Sequence, residues 1–360
     1  MFTPQRSFQT RPAASLVAAA ALASISSIHA AENASDKFLA DIQNENADVR
    51  FAAWSQAGKM DAKVVQPLAK LLAHEKPGVV KAVGEALKVL AHSAGKEAAN
   101  PKRKEISKEL VASLSGDQPV KARTTILRCL SLIAVADSVS AVEKWMADKD
   151  LREEAVYCLE RTPGKEATDT LIRSLKSAPD DFKPRIMAAL GHRKDKAAMD
   201  VLDELSTSTN TTIVISAIAA IGRIGVKPAK GKMPGDESLS PRDKRVFIDS
   251  VLRFADAELK NNPDESLRWY KYVLTEGKEK HFQCAAVIGL AKINRPDAAE
   301  AVVPLLANES PAVRSTTKKA LMSMKGPEID SVLQKAAEKA EGETKKALEA
   351  IRQSRGKQKK

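Results

Sequence analysis

The chain has 360 residues, 43% hydrophobic and 4% aromatic, with 58 Lys and Arg against 46 Asp and Glu for a net charge of +12. That apolar content excludes a disordered chain, and three Cys exclude a disulfide-stapled scaffold. Few aromatics with abundant Ala, Leu and Lys point to helices rather than strands.

Residues 1–30 read as a secretory signal peptide. Arg6 and Arg11 make a positive start, an Ala-rich apolar run extends from Ala13 to about Ile28, and Ile28-His29-Ala30 sets cleavage before Ala31. The run is short and weakly apolar for a membrane span. No Cys follows it to anchor a lipoprotein, and the paired arginines of a twin-arginine signal are absent. Residues 1–30 hold two arginines and no acid, so the mature chain carries +10. No later segment is long and apolar enough to span a bilayer. The expectation is an exported protein, periplasmic or extracellular, for which nucleic acid is not an expected partner.

From residue 48 onward a rhythm of about 31 residues sets in. The segments DVRFAAWSQAG (48–58), DLREEAVYCLE (150–160), DFKPRIMAALG (181–191), TIVISAIAAIG (212–222), HFQCAAVIGLA (281–291) and AVRSTTKKALM (312–322) share one pattern. Its anchors are Val49, Val79, Ala122, Leu151, Phe182, Ile213, Phe282, Val313 and, less regularly, Thr344. Six of the eight separations lie within two residues of 31. Mostly small or apolar residues recur four, seven and eight positions after each anchor, and these offsets share one face of a helix. Another amphipathic stretch usually precedes each of these, at 62–73, 138–147, 166–176, 197–206, 298–307 and 328–337, with Gly, Pro, Asp or Asn at the junctions. The unit is a helical hairpin, and a hairpin cannot bury its apolar face alone, so neighbours must stack. The predicted fold class is all-α, an α-solenoid of stacked hairpins.

Two steps break the rhythm. The 43-residue step carries extra residues within Ser93–Lys108, including Lys102-Arg103-Lys104. The 69-residue step holds a Pro/Gly/Lys-rich loop, 226–240, then two helices near Arg242–Lys260 and Glu265–Thr275. Regular alternation requires an odd number of helices there. The second helix is expected to pair with 281–293, and the first to be the inserted one. The array therefore spans 31–353 with an irregular insert at 226–280, and 354–360 form a basic tail.

Asp-x-Arg starts, small residues inside the second helix, and the endings Ala189-Leu190-Gly191 and Ala220-Ile221-Gly222-Arg223-Ile224-Gly225 resemble the short bacterial HEAT repeats. The resemblance implies architecture, a scaffold that hosts many unrelated roles. His74-Glu75 resembles one element of the iron-binding pairs of the HEAT-like deoxyhypusine hydroxylases, but that family needs several pairs and one is present. His74 is read instead as a helix-end residue.

Signals of catalysis are poor. The histidines form no H-E-x-x-H motif, the cysteines have no C-x-x-C spacing, and neither a Gly-rich phosphate loop nor G-x-S-x-G occurs. No enzyme activity, cofactor or metal is expected. Export and the missing pocket motifs argue against the HEAT-like lyases and glycosylases. Cys129 and Cys158 occupy the same position, seven after the anchor, in consecutive repeats. They read as small core residues, with a disulfide between them as the alternative in an oxidising compartment.

The residue after the anchor is basic in six repeats: Arg50, Arg123, Arg152, Lys183, Arg314 and Lys345. Acids precede the anchor at Asp48, Asp150, Asp181 and Glu343. A ladder of Asp/Arg contacts between repeats is the first reading, and a basic stripe toward an acidic partner the second. The tail Arg352–Lys360 carries five positive charges, suited to a frayed end or to an anionic surface. Phe247, Phe254, Trp269, Tyr270, Tyr272 and Phe282 crowd into the broken region. They fill a packing gap or line a pocket, and Trp269, Tyr270 and Tyr272 are the binding candidates, with at least one ring exposed. The expected function is an exported, non-catalytic scaffold for a protein partner on a curved surface of second helices. Binding of envelope lipid or wall polymer through the stripe and tail is the alternative.

Overall fold

The computed structural model describes residues 33–97, 100–115, 117–133, 135–226 and 239–357. The expected signal at 1–30, most of the loop 226–240 and the end of the basic tail lie outside the described residues. Where the sequence predicts one array, the contacts divide the chain into two compact units, one ending at Gly164 and one beginning at Lys165. Gly164 turns the chain there with a left-handed φ of 98°, a conformation that suits a residue without Cβ.

The first unit holds α1 (33–42), α2 (Ala47–Ser55), α3 (Val65–Leu71), α4 (Pro77–Gly95), α5 (Lys102–Ala112), α6 (Val120–Ile133), α7 (Val139–Glu143) and α8 (Arg152–Arg161). The second holds α9 (Lys165–Ser177), α10 (Lys183–Arg193), α11 (Met199–Leu205), α12 (Thr211–Ile224), α13 (Pro241–Glu258), α14 (Pro263–Glu276), α15 (Lys280–Ile293), α16 (Pro296–Val302), α17 (Pro311–Ser323), α18 (Pro327–Lys339) and α19 (Gly342–Lys357). Short 3-10 turns such as Ala62–Val64 lead into several of them. Each unit is a stack of helical hairpins, all-α among the described residues.

Local chemistry sets the ends. Pro occupies the first turn of α4, α10, α13, α14, α16, α17 and α18, where its missing N–H would lack an intrahelical partner anyway. Asn210 caps α12 by accepting from the amides of Thr212 and Ile213, at 3.0 and 3.4 Å. Asn294 ends α15 in the left-handed region and reaches the turn one repeat on. Its amide donates to the Lys325 carbonyl at 3.2 Å, and its oxygen accepts from the Lys325 amide at 2.6 Å.

The core follows the predicted offsets. Anchors Val79, Ala122, Leu151, Phe182, Ile213, Phe282 and Val313 are buried, and so are Val83, Ile126, Ala155, Ile186, Ala217, Ala286, Thr317 and Leu348 four positions on. Val49 and Thr344, at the two ends of the repeat series, stay partly exposed. Arg352, expected eight after the last anchor, is exposed, and Ile351 is buried in its stead. The helix α19 runs past the expected limit of the array to Lys357. Arg355, assigned to the tail, is 5% exposed. It donates to Asp330 at 2.8 Å and to the carbonyls of Leu321 and Met324.

The break at 226–280 resolves into a repeat without an apolar anchor. A Cβ on Gly222 of α12 would stand 3.1 Å from Ser250 Cα of α13, as one on Gly191 of α10 would stand 2.8 Å from Ala220 Cα of α12. The helix α13 therefore follows α12 in the row of second helices, with Ser250 in the place of Ala220. Counting back seven residues puts Asp243 at the anchor. Ser240-Pro241-Arg242-Asp243-Lys244 aligns with Ser310-Pro311-Ala312-Val313-Arg314 in its Ser-Pro start and final cation, but Arg242 stands for Ala312 and the acid Asp243 for the apolar Val313. Asp243 has become a capping residue: Ser240 Oγ accepts from its amide at 3.2 Å and lies 2.7 Å from its carboxylate. The helix α14 pairs with α15, as expected. The inserted α13 joins the row of second helices and does not stand outside the stack.

Tyr270 is fully buried between α14 and α15, and an added Cβ on Gly289 would fall 2.2 Å from its ring. Gly289→Ala should therefore destabilise the second unit by about 1–3 kcal/mol through overpacking. The expected reading is a lower urea midpoint with little change in slope.

Candidate interaction surface

Offsets 0, 4, 7 and 8 of each second helix are spent on the core, which leaves offsets 2, 3, 6 and 10 on the free face. Large apolar side chains stand exposed there. Phe51 (58% exposed) is two residues after its anchor, and Tyr157 (39%) and Ile288 (49%) are six after theirs. The exposed Val120 precedes an anchor instead. Each unit also has a groove along the free side of its own second helices. In the first unit, a groove of about 540 Å³ lies among α2, α4 and α6, lined by Ser55, Gln56, Gly58, Lys59, Lys88, Val89, His92, Ser93, Lys96 and Leu132. In the second, a groove of about 400 Å³ crosses α10, α12 and α13, with Pro184, Ala188, Ile215, Ala219 and Val246 as its apolar lining and Arg223 and Arg242 as its cations.

Arg50 and Arg314, among the post-anchor cations, serve their own turns, while Arg123 faces an aspartate of the next repeat as a ladder would require. Arg50 donates through Nη1 to the carbonyls of Asn44 and Glu45, at 2.6 and 2.8 Å. Arg314 makes the same two bonds to Asn308 and Glu309, at 2.7 and 2.8 Å. Both sit in one motif, Asn-Glu, a cap, two residues, then Val-Arg, at 44–50 and 308–314. The guanidinium staples the turn that leads into its own helix. Arg50 also lies against Gly78 at the start of α4, where an added Cβ would come within 2.9 Å. Arg123 stacks over Trp145, 4.9 Å from the ring centre, and faces Asp148 at 3.6 Å. Lys183 pairs with Asp180 at 2.7 Å. Arg152 also has partners among the described residues. Arg50 and Arg314 thus bind turn carbonyls, and Arg123 and Lys183 face the turn aspartates Asp148 and Asp180.

Further contacts between repeats use other residues. Arg128 of α6 meets Glu154 of α8 at 2.5 Å, and Arg245 of α13 meets Glu279 at 2.5 Å. Lys102 and Lys104 of the basic run pair with Asp61 and Asp137, at 2.9 and 3.2 Å. Exposed pairs of this kind contribute about 0–1 kcal/mol each.

The aromatic cluster packs among α13, α14 and α15. Tyr270 donates to Asp256 at 2.6 Å, and burial keeps its hydroxyl protonated. Trp269 is buried, donates to Glu265 at 3.0 Å and carries the Arg268 guanidinium 4.7 Å above its ring. Tyr272 is half-buried, edge-on to Phe247 and Trp269 at 6.2 and 6.1 Å. Of the three candidates, Tyr272 keeps the most accessible surface. Cys129 and Cys158 are free, buried thiols and form no disulfide in the structure. Burial pushes both up to about 12, which leaves them inert. His74 lies in the turn before α4, where Nδ1 accepts from the Lys76 amide at 3.0 Å. Among the described residues no cluster of His, Cys, Asp or Glu could hold a metal ion, and no helix is long and apolar enough to cross a membrane.

Residues 271–352 match the family model for HEAT repeats. That stretch covers α15 to α18 with parts of α14 and α19, and together with the fold it supports a HEAT-repeat protein. No curated protein matches the sequence. Among solved structures, Kap121p aligns over 89% of this chain and 41% of its own, at 12% identity and a TM-score of 0.51. Importin beta aligns over 91% of this chain and 52% of its own, at 12% identity and 0.49. Human deoxyhypusine hydroxylase aligns over 71% of this chain and 97% of its own, at 18% identity and 0.33. The likeness to Kap121p is one of fold alone, and the hydroxylase score is too low to argue a shared chemistry.

If Arg314 is a staple, its loss must be felt in the fold. Arg314→Ala should cost about 1–3 kcal/mol for its two carbonyl bonds, and Arg314→Lys should restore little, because a single ammonium does not reproduce the fork. Lys183→Ala should change stability by no more than about 0.5 kcal/mol. Urea denaturation of the three variants distinguishes the staple from a stripe of equivalent surface cations.

Proposed function

We propose that this chain is an exported, non-catalytic scaffold that holds a protein partner on the free face of its second helices. The carrying observation is that each unit has an exposed apolar side chain and a groove on the free side of its own second helices: Phe51 and Tyr157 in the first, Ile288 in the second. An apolar side chain that no neighbour covers, beside a groove of mixed lining, is what a protein partner can bury. Export rests on the charge, core and cleavage pattern of residues 1–30. Absence of catalysis is supported by His74 serving a turn and by the inert, buried thiols. Attachment to an anionic lipid or wall polymer is the weaker reading, because Arg50 and Arg314 are spent on turn carbonyls and Arg355 on Asp330.

A photo-crosslinking residue placed at Ser55, Ala219 or Ile288 in cells should give a discrete protein adduct. The same residue at Lys176 or Lys335 on first helices should give none. Equal labelling from both sets would overturn the assignment of the face. For export, the chain recovered from the cell envelope should begin at Ala31, and recovery only as the uncleaved cytosolic form would overturn it.

A further inference from the structure

Resting on the scaffold reading, we propose that the first-unit groove takes an extended, acidic segment of the partner protein, with carboxylates at alternate positions and small apolar side chains between them. Lys88, His92 and Lys96 stand four residues apart along α4 and its C-terminal cap, and all three line the groove. At about 1.5 Å rise per residue they form a row with intervals of about 6 Å on one side of the helix. An extended chain rises about 3.3 Å per residue with side chains alternating, so groups on one side recur about every 6.6 Å. The two periods agree over three positions.

The electrostatics favour the same occupant. Lys59 adds a further cation, and no carboxylate lines the groove. The Lys59 ammonium donates to Gln56, at 3.3 Å, and Lys88 pairs with Glu85 at 2.8 Å on exposed surface. The side chains of His92 and Lys96 have no partner among the described residues. A single exposed lysine holds a carboxylate weakly, so affinity here needs several engaged in register.

Apolar features decide for a protein over a bare polyanion. Gly58, Val89 and Leu132 supply apolar lining, which a phosphate polymer leaves wet and a flat lipid surface does not enter. Phe51, edge-on to Trp54 at 4.9 Å, stands one helical turn before Ser55 on the same face of α2 and extends the apolar surface beyond the groove.

The test uses the full chain and a fluorescein-labelled peptide in which glutamate alternates with leucine or alanine, followed by anisotropy. Comparison probes are a peptide of the same composition with its glutamates in one block, polyphosphate, and phosphatidylglycerol vesicles. The alternating peptide should bind saturably and several-fold tighter than the block peptide. Lys59→Glu with Lys96→Glu should weaken it roughly tenfold, and Lys59→Gln with Lys96→Gln should weaken it less, with an unchanged circular dichroism spectrum. Phe51→Ala should weaken the peptide but not its salt dependence. No saturable binding, equal affinity for both peptides, or vesicles or polyphosphate binding as tightly as the peptide would overturn the proposal. If the peptide fails while second-helix crosslinks persist, the scaffold stands and the acidic partner falls.

Discussion

A two-helix hairpin of about 31 residues has an apolar face that it cannot bury within itself. Everything else in the described structure follows from that constraint. Neighbouring hairpins must supply the missing wall, so the anchor and the residues four and eight after it are apolar almost throughout. The second helices must also come close together, so mostly small residues stand seven after the anchor, and Gly191 and Gly222, nine after theirs, meet the backbone of Ala220 and Ser250. A stack built in this way uses one side of each second helix for the core. The opposite side stays free over successive repeats.

The break in the rhythm shows how little the stack demands of any one position. At Asp243 the apolar anchor is replaced by a residue that caps its own helix through Ser240. The hydrophobic contribution lost at that position is offset by Phe247, Val251 and Phe254 further along α13, all buried. The aromatic crowding of the region serves the same end. Tyr270 fills the space that Gly289 leaves open, and its hydroxyl finds Asp256 inside the stack.

The net positive charge divides into two populations. Arg50 and Arg314 are structural staples, each binding two carbonyls of the turn before its own helix. Arg355 does comparable work for the final helix, with its charge buried against Asp330. A second population faces outward: Lys59, Lys88 and Lys96 in one unit, Arg223 and Arg242 in the other. These groove cations, unlike Arg50 and Arg314, are placed to meet a partner.

Helix content, repeat length, the buried offsets and the pairing of α14 with α15 were legible in the sequence by itself, because burial at a fixed helical period leaves a one-dimensional trace. The repeat that begins at α13 has a local signature too, the Ser-Pro start shared by residues 240–244 and 310–314, but its acid at Asp243 interrupts the apolar period. Only the tertiary structure decided how Arg50, Arg123 and Arg314 spend their charge, that Tyr270 is interior while Tyr272 is half-buried, that Cys129 and Cys158 stay unlinked, and that Lys59, Lys88, His92 and Lys96 line one groove. Those outcomes depend on which turn or helix from another repeat lies within a few ångströms, and that proximity is set by stacking, which no single repeat encodes.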